Sequence, residues 1–507
     1  MIGPAEPRSH LSGSDVAREE DGASNEAHPE LGPVRGPAHG CFQRMALERF
    51  EALTLWGRPA AMREDSLSAS AWATVDERVL IGVFHLLETR EFLCVGFARD
   101  AAGRYRLFQC SPMLPSLRAG DLAIAHDLGA DFLAAAVDLT HLEPLPTGMD
   151  LFEPLQGIKR LHPAYVMLRD GYNQRAAREL ITEMAHWLPD RDGNFVRDFQ
   201  TSGYSARIWE LYLWAAFTAL DFAIDPACAI PDFCLDKRGA RLFVEATTVN
   251  GPDSFAAAMG QGPPESPPGD FLAFLEHDMP QKFGSPLFSK LKKRYWEQPH
   301  VAGHPLVLAI ADFHAPASMR WSHNALPFYL YGVGVNITID ADGRVSGKEK
   351  PLGDHVVGSK TVPTNFFAQP DAEHIAAVLF SNAGTVVKFS RMGVRAGYGD
   401  PWVSLVRSGV WNDPGGGFDG IPFKFDVESP DYEEGWPDEL RLFHNPNALY
   451  PVDEALFPGI AHVRLEDGEH LIRTPANRVL FSETRSYDFL RRTAGRPEGW
   501  TQPRAKT

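Results

Sequence analysis

Apolar and polar positions change their spacing several times along the chain, and each change marks an element. Residues 44–60 carry helix-spaced apolar positions. The stretch SAWATVDERVLIGVFHLLETREFLCVGFARDAAGRYRLFQC then alternates strands with turns, with Arg99-Asp100-Ala101-Ala102-Gly103 as a hairpin bend. Helical spacing returns over 117–139, so 43–155 reads as a small α+β domain. An amphipathic helical region runs from Pro163 to about Trp187. Residues 205–224 are apolar almost all round after Glu210, which predicts a buried core helix. Two strands, IPDFCLDK and ARLFVEATTV, flank the turn Asp236-Lys237-Arg238-Gly239. A Gly/Pro-rich loop over 251–269 leads to helices at 270–278 and 286–297. HPLVLAIADF (304–313) is a continuous apolar run, as a strand buried on both faces requires. Helical spacing recurs at 322–332, and AAVLF with TVVKFSRMG (376–393) is strand-like within an otherwise loop-rich C-terminus.

Length and composition refine this picture. A chain of 507 residues exceeds one ordinary core. The pattern divides it into a tail at 1–42, the domain at 43–155, a central region at 156–335 and a C-terminal region at 336–507 that completes the central sheet near 376–393. The tail is rich in Pro, Gly, Ser and Glu and is read as disordered, because it lacks the apolar surface needed to offset ordering entropy. A net charge of −17 disfavours indiscriminate binding to nucleic acid or anionic membrane but permits a local basic groove. Cys41, Cys94, Cys110, Cys228 and Cys234 show no metal-like spacing and read as buried free thiols of a reducing compartment. The longest apolar stretch, Leu211 to Ile224, is too short to span a bilayer, and no secretory signal opens the chain. The expectation is a cytoplasmic protein with no membrane partner.

The strand pair carries the candidate chemistry. With Lys237 and Arg238 as central turn residues, Asp232 lies opposite Phe243, and Glu245 is two residues further along. Strand alternation then puts Asp232, Phe243, Glu245 and Thr247 on one face, while Phe233, Leu235, Leu242, Val244 and Ala246 form an apolar face for the core helix. The two carboxylates become diagonal neighbours, roughly 7–8 Å apart at the backbone, and can grip one hard cation. Each acid also has an ordinary explanation. Glu210 stands near a helix start, three residues from Arg207, and Asp232 follows a proline at a turn. Glu245, flanked by Val244 and Ala246, is the hardest to explain as surface decoration.

The order of helix with Glu210, strands with Pro231-Asp232 and Glu245-Ala246-Thr247, helix and buried strand resembles the PD-(D/E)xK, or restriction-endonuclease-like, nuclease superfamily over about 200–335. The resemblance implies an α/β core with a mixed sheet flanked by helices, within a chain that is α+β overall. It implies Glu210, Asp232 and Glu245 as ligands of Mg2+ or Mn2+, and phosphodiester hydrolysis of nucleic acid, DNA first, in DNA processing or defence. A homodimer stays open. The family's lysine is replaced here by Thr247, whose hydroxyl supplies no positive charge. Lys237 stands five strand residues from Asp232, on the order of 16 Å, and is too far to replace it. Related folds move the lysine to a neighbouring helix, and KFGSPLFSKLKKRYWEQPH holds the dense basic cluster Lys282, Lys290, Lys292, Lys293 and Arg294. Lys290 is the expected catalytic cation, because Leu287, Leu291 and Arg294 define the buried seam beside it. The other four are expected to contact nucleic acid.

Weaker candidates follow. Asp312, His314 and His323 flank the buried strand and read first as core-edge polar residues. Lys388, Arg391 and Arg395 suit phosphate but read first as a solvated strand end, and His444-Asn445 reads as a turn or cap. The DRDGN segment from Asp190 lacks the glycine and glutamate of a calcium loop and reads as a polar turn. Two rival classes remain: a binding protein on a degenerate nuclease scaffold, and a metal-independent carboxylate enzyme such as a glycosidase.

Overall fold

A computed structural model describes residues 41–488 apart from 189, 191–192, 252–269, 316–317, 319–321, 341–344, 358, 382, 414–419, 467–468 and 474–478. Residues 1–40 of the tail expected at 1–42, and all but the first residue of the expected loop at 251–269, therefore lie outside the described residues, while Cys41 is a turn residue and Phe42 already opens a strand. The fold is mixed α+β, with several antiparallel and mixed sheets.

The central element is an eight-stranded mixed sheet fed by helices on both faces. Helix α1 (Tyr204–Ala219) precedes β1 (Ala223–Ile224), β2 (Phe233–Lys237) and β3 (Ala240–Asn250). Helix α2 (Met279–Leu291) then leads to β4 (Leu306–Phe313), and β5 (Ala377–Ser381) is followed by helix α3 (Val386–Arg395). Strands β6 (Leu440–His444), β7 (Ala461–Glu466) and β8 (Glu469–Arg473) complete the sheet. The spatial order follows the chain, from β1 at one edge to β8 at the other. Neighbours β3/β4, β4/β5 and β6/β7 are parallel, and the remaining pairs are antiparallel. Every residue of β4 is buried, as its unbroken apolar run requires.

The two faces carry separate cores. Phe233, Leu235, Leu242, Val244 and Ala246 pack with α1, while Phe243, Val249, Leu306, Leu308 and Ile310 pack with Met279, Phe283, Leu287 and Leu291 of α2. The sheet runs through residue 473, so a boundary at 335/336 falls inside it rather than between two units. An antiparallel five-stranded meander over 42–110, with helices at Leu47–Thr54 and Leu117–Ala123, builds its own cores around Phe50, Phe84 and Phe97 and around Ile124 and Phe132. It is tied to the central core by Trp56, which stacks on Trp214 at 4.9 Å.

Several boundaries differ from the sequence reading. The core helix stops at Ala219 because Asp221 takes a left-handed φ of 66°, and residues 223–224 form a strand instead. The helix expected at 286–297 runs from 279 to 291, leaving Arg294 exposed beyond its end in a left-handed conformation. The segment 386–395 is a helix and not a strand, with Val386, Phe389 and Val394 as its buried seam. Of the cysteines, only Cys94 and Cys234 are buried; Cys41 and Cys110 are exposed, Cys228 is intermediate, and none forms a disulfide. None of the helices among the described residues is long and apolar enough to cross a membrane.

Candidate metal centre

The β2–β3 hairpin turns at Arg238-Gly239, one residue later than the sequence reading. Both residues have positive φ, 51° and 79°, as a two-residue hairpin of this hand requires. Lys237 is drawn into the ladder opposite Ala240, because its buried ammonium donates to the carbonyls of Leu220 (2.7 Å) and Leu456 (3.3 Å). The register is therefore Phe233↔Val244, and its extension puts Asp232 directly across from Glu245 rather than on a diagonal. A shift of two residues leaves the faces unchanged, so both carboxylates still share the α2 side.

Glu245 sits beside Leu308 of the central strand, with a side chain only 6% exposed. Two donors from beyond the sheet reach its Oε1. The Lys290 ammonium, on the last turn of α2, donates at 2.5 Å, and the Tyr295 hydroxyl donates to the same oxygen. Leu287 and Leu291 are buried on either side of Lys290, which aims it at the sheet. Arg294 plays no part in that seam. The sequence reading missed Tyr295, since its contact depends on the chain reversing just after α2.

Asp232 Oδ2 accepts the Ala246 amide at 2.7 Å, a bond across the hairpin that fixes its direction. Glu210, one and a half turns into α1, accepts Arg207 at 2.8 Å, and Arg207 also donates to Asp198 at 2.7 Å. Burial and the neighbouring Asp232 push the Glu210 carboxyl up to about 7. Burial and the neighbouring Glu245 push Asp232 up to about 6. Lys290 opposes both shifts. Glu210, Asp232, Glu245 and Lys290 thus form one electrostatic unit drawn from α1, the residue before β2, β3 and α2.

This donor set suits a hard divalent ion. Mg2+ takes one or two protein carboxylates and completes its shell with water and phosphate oxygens, and Asp232 with Glu245 could supply that pair. The three acids do not all bring ligand oxygens within 4.8 Å of one another, so a single ion would engage the whole set only with the help of water or after a side chain turns. Thr247 lies two residues beyond Glu245 on the same strand face, half-buried, and brings no charge.

The remaining basic residues flank the centre unevenly. Lys292 and Lys293 are exposed at the end of α2, over the rings of Phe288 (4.4 Å) and Tyr295 (5.7 Å). Lys282 is half-buried two helical turns before Lys290, on the order of 12 Å away. Arg294 is engaged by Glu297 at 2.6 Å and Asp371 at 2.9 Å.

The weaker candidates fall elsewhere. Asp312 is four residues along β4 from Leu308, on the order of 13 Å from the Glu245 level. It is fully buried; burial would raise its carboxyl, but hydrogen bonds from His314 (2.7 Å) and Ser322 (2.5 Å) hold it below the usual range. The side chain of His323 lies outside the described residues. Lys388 and Arg391 are buried, not solvated, and clasp Glu434 at 2.7 and 2.8 Å, while Arg395 donates to the Glu434 carbonyl. They are occupied by the core and offer nothing to a phosphate. Asn445 caps the Ala372 and Ile375 carbonyls, and His444 is a buried strand residue. The chain matches no family of known proteins, no curated protein and no solved structure in these comparisons.

Proposed function

We propose that the chain is a divalent-metal-dependent nuclease whose centre is Asp232, Glu245 and Glu210, with Lys290 as the catalytic cation. The observation that carries this reading is the Lys290–Glu245 contact: a lysine from the helix after the strand pair meets the carboxylate that the pattern Glu245-Ala246-Thr247 leaves without its lysine. The element order from α1 through β4 supports the same reading.

When bound, Mg2+ or Mn2+ supplies a water of lowered pKa and neutralises charge on the phosphate. Asp232, just before β2, and Glu245, on β3, would hold the ion, and Arg207 orients Glu210 through its ion pair. In this reading the Lys290 ammonium, held on Glu245 in the free protein, turns to a phosphate oxygen as negative charge develops there. Tyr295 keeps Glu245 directed while that exchange occurs. Lys292 and Lys293, on the same helix end, receive the nucleic-acid backbone, DNA being the first substrate to try. Lys282 and Arg294 contribute less, the first by distance and the second because two carboxylates already occupy it.

A second reading, a nucleic-acid-binding or interaction protein on an inactive scaffold, is favoured by Thr247 and by the three acids standing too far apart to share one ion directly. Calorimetric titration of Mg2+ and Mn2+ into the wild type and Glu245→Ala separates the two. Binding that is lost in the variant supports the nuclease, and no binding by the wild type supports the scaffold.

A further inference from the structure

On the opposite face of the sheet, three strands from β3 and on the order of 14 Å away, a different donor set closes on itself. His444 ends β6, and His462 lies on the parallel neighbour β7 opposite Leu442. Alternation therefore brings both imidazoles to one face, where each residue is 5% exposed. His444 Nε2 stands 3.0 Å from His462 Nδ1 and 3.9 Å from Glu454 Oε1, and the three donor atoms all lie within 4.8 Å of one another. Glu454 comes from the connection between β6 and β7, at the short turn Glu454–Leu456.

The orientation of His462 says more than its proximity. Its Nε2 is 3.1 Å from the Phe457 carbonyl oxygen, which can only accept, so Nε2 carries the proton and Nδ1 presents its lone pair to the centre. A ring whose outer N–H is held by a backbone carbonyl while the inner nitrogen faces a cluster is how ligating histidines are set. We infer that His444, Glu454 and His462 form a second metal site, for a zinc-class transition ion, that clamps the β6–β7 connection onto the sheet. Two nitrogen donors and one oxygen at these separations suit Zn2+, whose bonds are about 2.0–2.2 Å, and disfavour Mg2+ or Ca2+, which take oxygen shells. Arg464 donates to Glu454 Oε1 at 2.6 Å from the exposed side; it orients the carboxylate and, as a nearby cation, keeps the affinity moderate.

The site is independent of the carboxylate centre and is tested apart from it. Chelator-treated full-length protein is titrated with Zn2+ by calorimetry and with Co2+ by visible absorption, and its melting temperature is read with and without Zn2+. With the carboxylate centre occupied by excess Mg2+, the expected result is one bound Zn2+, a raised melting temperature, and at least tenfold weaker binding in both His462→Ala and Glu454→Gln. Binding should persist in Asp232→Ala and in His374→Ala, which removes a member of the more exposed Asp371, Glu373 and His374 group. Should His462→Ala fail to fold, Glu454→Gln, at a half-buried loop position, decides alone. No Zn2+ binding by the wild type, or full binding by Glu454→Gln, overturns the site and leaves a histidine pair joined only by a hydrogen bond.

Discussion

Lys290 and Glu245 are 45 residues apart in the chain, yet the ammonium of one meets the carboxylate of the other at 2.5 Å across the helix–sheet interface. The contact is partly buried, with side chains 19% and 6% exposed, so it is screened less than a surface pair. A carboxylate wedged among apolar strand residues needs such a partner, and a metal centre needs a cation that can be exchanged. The Lys290 contact meets the first need and, under the proposed function, the second.

If Lys290 stabilises the charge that builds on phosphate, Lys290→Ala should slow cleavage at least a hundredfold, about 2.7 kcal/mol at 1.36 kcal/mol per tenfold. Mg2+ affinity should change little. Thr247→Lys, which restores a cation on the strand itself, should recover part of the loss in the Lys290→Ala background. Single-turnover rates beside Mg2+ titrations check this, and an unchanged rate in Lys290→Ala removes Lys290 from the mechanism.

Asp232→Ala and Glu245→Ala should each abolish the heat of Mg2+ binding. Tyr295→Phe leaves both ligands in place but withdraws one hydrogen bond from Glu245, and should weaken Mg2+ binding roughly tenfold, within the 10–100-fold range for outer-shell partners. Calorimetry on the three variants distinguishes ligands from the residue that positions one of them.

Acidity gives a signed test. Glu210 and Asp232 both titrate above their ordinary values of 4.5 and 3.8, so the folded state holds their protons more tightly than the unfolded chain does. Their contribution to stability is complete below about pH 4 and is lost as pH rises through 6 to 7. Without metal, Glu210→Gln should match the wild type at pH 4.5 and become more stable than it by on the order of 1–3 kcal/mol at pH 8. Mg2+ at pH 8 should narrow that gap. Urea denaturation at the two pH values reads it directly, and a gap that shrinks with rising pH contradicts the arrangement.

Glu434 makes a separate prediction about the fold. It is fully buried, and burial would raise its carboxyl, but Arg391, Lys388 and Arg407 hold it well below the ordinary range. Glu434→Ala would leave these cations without their shared anion and should cost about 3–5 kcal/mol. Denaturant midpoints for this variant, with the exposed Glu297→Ala as control, measure it.

The sequence made the shared face of Asp232 and Glu245 legible because strand alternation survives a two-residue error in register. It could not place the turn, since what pulls Lys237 into the ladder is a pair of carbonyls, Leu220 and Leu456, from distant parts of the chain. Lys290 was legible from the seam of Leu287 and Leu291, whereas Tyr295 was not, because it reaches Glu245 only after Arg294 turns the chain with a φ of 49°. The strand reading of 376–393 held over Ala377–Ser381 and failed beyond Val386 for another reason. Lys388 and Arg391 look solvent-facing in sequence, and only the buried Glu434, more than forty residues later, lets them face inward from a helix. His444 and His462 carried no spacing signal at all, because parallel strands join them across a connection of sixteen residues, 445–460.

The most direct test of the nuclease centre is cleavage of single- and double-stranded DNA by the purified wild type and Glu245→Ala side by side, with Mg2+, with Mn2+ and with chelator. The account predicts metal-dependent cutting by the wild type that disappears with chelator and in the variant. Equal cutting by both proteins, or none by the wild type with either metal, would contradict it.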